Sequence, residues 1–260
     1  MKIYLSFLII AVFGLFVDIQ AQNGPGGTDA GGALEVWLNA EQLGLSNGAS
    51  VSSWTDLSGN SNHAIQGTAA NRPTYATNGI NGNASVQFNG STQFLDIGAI
   101  SSLNSVQTVT TFVAASTTSN HNGIYLRAEY AGGGAQTRFW ATRVRSAGSV
   151  FQFETRKSGG GLVSRTTGDH ILSSQWNGSS LVGYLDGTSV GSSGGATGTP
   201  NNHVSIAVGH NVSGSLYLNG EMGEIIVFSS VIGTCHRNLI ENYLGDKYGT
   251  GVPGGIDKFR

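Results

Sequence analysis

Residues 177–187 read Asn177-Gly178-Ser179-Ser180-Leu181-Val182-Gly183-Tyr184-Leu185-Asp186-Gly187. An apolar-rich run of five residues stands between two Xaa-Gly dipeptides. Asn-Gly and Asp-Gly accept positive φ at low cost, and two-residue hairpin turns require it. The stretch therefore reads as a short strand with a tight turn on each side. The same unit recurs outward in both directions. Strand-like runs occur at 84–88, 109–115, 123–129, 150–155, 204–208, 215–218 and 224–228. In the first, Val86 and Phe88 share a face. In 123–129, Ile124 and Leu126 alternate with Tyr125 and Arg127. Further turn signals stand at Asn81-Gly82, Asn89-Gly90 and Asn219-Gly220. So many strand signals without intervening helices exclude a βαβ fold and indicate an all-β, two-sheet antiparallel jelly-roll sandwich. The 40 Gly among 260 residues fit that turn-rich architecture, and the absence of a Gly-X-Y period with only 4 Pro excludes collagen.

One C-terminal α-helix is expected over 235–248. Thr234 stands where a cap belongs, Leu239, Ile240, Tyr243 and Leu244 form an apolar stripe, and Gly249 is placed to end it. At the other terminus Lys2 precedes a 15-residue apolar run, 3–17, and Ala21 offers a small residue at a cleavage point. The run is shorter than the ~20 residues that span a bilayer. Residues 1–21 therefore read as a secretory signal peptide, and the protein as secreted or cell-surface. No later segment reads as transmembrane. Residues 22–32 read as a Gly-rich leader, 33–250 as the folded domain and 251–260 as a tail. Cys235 is the single cysteine, so no internal disulfide forms. It is expected as a buried small apolar residue, and Trp37 and Trp54 as core.

Several segments together resemble the concanavalin A-like lectin/glucanase superfamily, in particular the laminin G-like jelly rolls of secreted bacterial surface proteins. They are 36–40 (VWLNA), 51–60 (VSSWTDLSGN), 62–64 (NHA), 72–75 (RPTY), 86–90 (VQFNG), 183–187 (GYLDG), 219–227 (NGEMGEIIV) and 241–249 (ENYLGDKYG). The resemblance implies two stacked antiparallel sheets and a carbohydrate or surface-glycan ligand. It also implies that a structural Ca2+ is a common companion of the fold.

Glucanases of this kind set acidic residues at alternate strand positions, so that an acid and a nucleophile share a face. No Glu-x-Asp-x-Glu triplet is present. Glu221 and Glu224 are three apart, a spacing that puts them on opposite faces of a regular strand. Gly-x-Ser-x-Gly occurs at 44–48, 187–191 and 191–195, without the strand-to-helix context a nucleophilic Ser needs. The six His show no zinc-ligand spacing. In 56–62 (DLSGNSN) oxygen-bearing side chains alternate. A tight turn using Asp56 and Asn60 is one reading, and a structural Ca2+ bound by Asp56 and Asn60 is the other. An EF-hand is excluded, because Ser61 and Gly67 stand where it needs Gly and Glu.

Charge adds one lead. The net charge is −2, which argues against nucleic acid as a partner. Seven of the 13 Lys and Arg nevertheless fall in 127–165, opposed there only by Glu129 and Glu154. Tyr125, Arg127, Arg138, Trp140, Arg143 and Arg145 are therefore the candidate ligand-binding residues, a basic face with rings for an acidic glycan. A solvated strand face is the competing reading. The expected function is non-catalytic binding of a polysaccharide or cell-surface glycan, or adhesion. A glycoside hydrolase and a structural surface protein without a glycan ligand are the alternatives.

Overall fold

The computed structural model describes residues 24–104, 108–117, 123–130, 138–145, 150–155, 162–165, 168–194, 203–211 and 216–251. The expected signal peptide and the tail after 251 lie outside the described residues. Along the chain run β1 (Leu34–Asn39), β2 (Ser53–Trp54), β3 (Ala64–Ile65), β4 (Thr74–Ala76), β5 (Ser85–Asn89), β6 (Leu95–Asp96), β7 (Val109–Thr117) and β8 (Gly123–Tyr130). They are followed by β9 (Arg138–Arg145), β10 (Val150–Thr155), β11 (Leu162–Arg165), β12 (Gly168–Trp176), β13 (Ser180–Leu185), β14 (Thr188–Gly194), β15 (His203–Val208), β16 (Asn219–Phe228) and helix α1 (Thr234–Tyr248).

The strands form two antiparallel sheets. The first has the order β14-β13-β12-β7-β16-β5-β4, with β1 also paired to β16; the second runs β11-β10-β9-β8-β15-β6-β3-β2. Their facing sides bury one core that includes Trp54, Val86, Phe88, Val113, Tyr125, Leu126, Trp140, Phe151, Phe153, Ile206 and Ile225. A second apolar cluster lies on the outer side of the first sheet, where Ile240, Leu244 and Tyr248 of α1 cover Trp37, Phe112, Ile171, Ile226 and Phe228. The molecule thus has three layers: helix, sheet, sheet. Trp37 and Trp54 are both buried. Among the described residues no helix is long and apolar enough to cross a membrane.

Local chemistry accounts for the elements and for the departures from expectation. Asp186-Gly187 makes the two-residue β13–β14 turn, with φ of 48° and 74°, the left-handed pair that such a turn demands. Asn219-Gly220 is not a turn but the start of β16, where a Cβ on Gly220 would stand 2.5 Å from the Ser116 carbonyl oxygen. Of the run 215–218, the described residues 216–218 contribute an isolated bridge, Tyr217 to His210, rather than a strand. Helix α1 starts after Gly233 with no side-chain cap, so Thr234 is its first residue rather than its cap. Leu239 and Cys235 face solvent. The buried stripe runs instead through Ile240, Leu244 and Tyr248. In the leader, Pro25–Gly27 forms a turn docked on α1, where a Cβ on Gly26 would stand 2.8 Å from the Leu239 carbonyl oxygen.

Candidate functional site

The four candidates whose side chains are described, Tyr125, Arg127, Trp140 and Arg143, divide between two faces and do not form one platform. On β8, Ile124 pairs with Arg143 and Leu126 with Thr142, which leaves Tyr125 as an extra, bulged residue. The bulge resets the alternation, so Tyr125 joins Leu126 in the core between the sheets. Trp140 is also inward and buried. Neither ring is offered to solvent, which corrects the expectation that they would stack on sugar. Arg127 and Arg143 do lie on the outer side of the second sheet, yet both are largely buried. Arg143 stands 3.5 Å from Glu154. Arg127 lies in a cross-strand row of Glu154, Ala141, Arg127, Ala207 and Asp96, so a carboxylate stands two strands away on either side. Of Arg138 and Arg145 the backbone pairing is described, to Glu129 and Val150; their side chains lie outside the described residues.

Asp56 and Asn60 occupy a tightly bonded turn. The Asp56 carboxylate accepts from the backbone N–H of Trp37 (2.8 Å), Ser58 (3.0 Å) and Asn62 (2.9 Å) and from the Ser58 hydroxyl (2.7 Å). The Asn60 amide donates to the Leu34 carbonyl at 2.8 Å. The described residues contain no group of three or more His, Cys, Asp or Glu placed to hold a metal ion.

Glu221 and Glu224 share a face after all. Met222 pairs with Ala115 and Glu224 with Ala114, so Gly223 is a bulge. A Cβ on Gly223 would lie 2.5 Å from the Tyr248 ring, which is why glycine stands there. Both carboxylates therefore project from the outer side of the first sheet, but into different environments. Glu224 is sealed beneath α1. Glu221 accepts from the Ser85 hydroxyl (2.6 Å) and the Gln87 amide (2.9 Å) and lines a cleft of about 230 Å3 with Gln87, Phe88, Ser116, Thr117, Asn219 and Gly220. Among the described residues that line the cleft Glu221 is the single carboxylate, with the exposed Asp169 two strands away in the same cross-strand row beyond Ser116; the lining itself does not hold the two carboxyl groups that a glycosidase pairs. The cleft is instead rich in hydroxyl, amide and backbone groups.

Beside the cleft is an aromatic stack. Gly209 abuts the Phe88 ring, and Leu218 N–H donates to the Gly209 carbonyl (2.8 Å). The next residue, His210, lies against Phe94 (ring centroids 4.0 Å apart) and Tyr217 (5.9 Å, nearly parallel). Phe94 and Tyr217 are partly exposed. His210 is buried, and burial pushes its pKa down to about 4, against the pull of Asp96. Sequence reading missed this trio because Phe94 comes from the β5–β6 connection, whereas His210 and Tyr217 come from the β15–β16 connection more than 100 residues later. The only local signal was the set of Gly-containing turns around them.

Comparison with known proteins gives the fold its context. No family model matches the chain, and no curated protein matches it. Among solved structures, the chain is similar to the Trypanosoma rangeli sialidase in complex with sialic acid, at 12% identity and a TM-score of 0.58 over 83% of this chain and 33% of that one. It is also similar to an arabinofuranosidase complexed with an arabinofuranosyl xylobiose, at 11% identity and a TM-score of 0.57 over 75% of this chain and 50% of that one. The chain thus spans about a third of the sialidase and half of the arabinofuranosidase. What these structures share with it is the β-sandwich.

Proposed function

We propose that this protein is an exported, non-catalytic carbohydrate-binding module of the concanavalin A-like, laminin G-like jelly-roll type. The observation that carries the reading is the juxtaposition, at one end of the sandwich, of a hydroxyl- and amide-lined cleft with the partly exposed rings of Phe94 and Tyr217. Sugar rings offer hydroxyls to such polar groups and apolar C–H faces to such rings. The sandwich neighbours, a sialidase and an arabinofuranosidase holding sugars, support a carbohydrate ligand. A preference for acidic polysaccharide has less support, because Arg143 is engaged with Glu154 and the cleft itself carries Glu221.

A glycan array followed by calorimetry on the best oligosaccharide tests the proposal. Tyr217→Ala and Gln87→Ala should each weaken binding about tenfold, the loss of roughly one well-placed contact. Reducing-sugar release from the bound polysaccharide should stay at the buffer rate. Release of sugar would favour the hydrolase reading, and binding to no glycan would favour a structural surface protein.

A further inference from the structure

Three residues meet under α1 in an arrangement that carbohydrate binding does not use. Asn39 ends β1, Glu224 lies on β16, and Lys247 lies in the last turn of α1. The Lys247 ammonium is 3.0 Å from Asn39 Oδ1 and 3.0 Å from Glu224 Oε2. Asn39 Oδ1 also accepts from the Glu41 backbone N–H at 3.0 Å. Glu224 accepts in addition from Trp37 Nε1 (2.5 Å) and from the Tyr243 hydroxyl (3.1 Å). Glu224 is 0% exposed and Asn39 5%. The Tyr248 and Tyr243 rings stand 5.1 and 5.7 Å from Lys247 Nζ. Glu41 pairs with the same ammonium from the more exposed side, at 3.0 Å.

An amine, a carboxamide and a shared carboxylate inside a largely dry pocket are the reactants and the proton carrier of an acyl transfer. We propose that Lys247 and Asn39 become joined by an intramolecular isopeptide bond, made by the folded protein itself, with Glu224 as the proton carrier. In the first step Glu224 takes a proton from the Lys247 ammonium. Burial raises the Glu224 carboxyl above the ordinary range, against the opposing pull of Lys247, and so eases that transfer. The free amine then adds to Asn39 Cγ, forming the N–C bond while the carbonyl electron pair moves onto Oδ1. The Glu41 N–H already points at that oxygen and holds the developing charge. Glu224 delivers its proton to Nδ2 and receives one from Nζ. The C–Nδ2 bond breaks, the carbonyl re-forms, and ammonia leaves. The departing ammonia takes up the proton left on Glu224, so the lysine's charge leaves as ammonium and the carboxylate is restored; no oxidant or further reactant is needed.

The bond would join residues 208 positions apart, tying the first strand to the C-terminal helix. The chain's only cysteine stands alone, so this cross-link would supply the covalent closure that disulfides supply in other exported proteins.

Intact-mass spectrometry of the purified, folded full chain is the test. The wild type should lie below the mass of its own sequence by one ammonia, about 17 Da, as expected for amide formation by a lysine nucleophile. Proteolysis should yield one branched peptide carrying residues 39 and 247. Lys247→Arg keeps the positive charge but cannot form the amide, so it should run at full mass and melt at a lower temperature. Asn39→Ala and Glu224→Gln should also run at full mass. A folded wild type that stays at full mass after prolonged incubation overturns the proposal, whether or not the variants fold.

Discussion

His210 packs against the rings of Phe94 and Tyr217 with 6% of its surface exposed. Burial of an uncharged imidazole links stability to pH. Its pKa is about 4 in the folded protein, against the ordinary 6.5. Between those values the unfolded chain binds more protons than the native one, so stability falls as the pH drops from about 6.5 to about 4. The gap corresponds to roughly 3 kcal/mol. Urea titrations across that range should show the loss in the wild type and a flatter profile in His210→Phe. An identical slope in both would remove His210 as its source. Gly223 is decided at the same scale, by one missing Cβ that lets the Tyr248 ring lie on β16.

The elements owe their faces to bulges and to the helix. The bulge at Gly223 puts Glu221 and Glu224 on one side, and the bulge at Tyr125 turns an aromatic candidate into core. Strict alternation could reveal neither, because a single inserted residue inverts every face beyond it. β12 was hidden for a related reason. Its buried Ser173 and Ser174 bond Glu241 and Thr111, so apolar residues do not alternate along it. Two measurements belong at this scale. Leu244→Ala, in the fully buried helix–sheet contact, should cost about 3 kcal/mol, whereas Leu239→Ala on the exposed side should cost less than about 1 kcal/mol. Equal costs would mean that α1 docks by a different face. In the turn at 56–62, the Asp56 carboxylate is already engaged by four donors. Its melting midpoint should therefore be unchanged by EDTA or added calcium, and a calcium-dependent rise would show that a cation replaces those donors.

At the scale of the whole molecule, the helix covers one outer face of the sandwich and leaves the cleft end free. The basic segment 127–165 is partly matched within its own sheet, by Arg143 with Glu154. The proposed glycan binding at the cleft should accordingly change little between low and high salt, because among the described residues no basic side chain lines it. A steep loss of affinity with salt would return the binding site to the arginines. The all-β class, the two-residue hairpin at Asp186-Gly187 and the C-terminal helix were legible in the chain, because turn chemistry and periodicity are local properties. The site was not. Which strands become neighbours, where a bulge resets a face and which loops converge depend on contacts between residues far apart in sequence. Asn39, Glu224 and Lys247 belong to three separate segments, and Phe94 meets His210 and Tyr217 from a connection more than 100 residues away. Local preferences determined the kind of fold; burial and long-range pairing decided which side chains meet, because proximity across a sandwich is written in no single stretch of the chain.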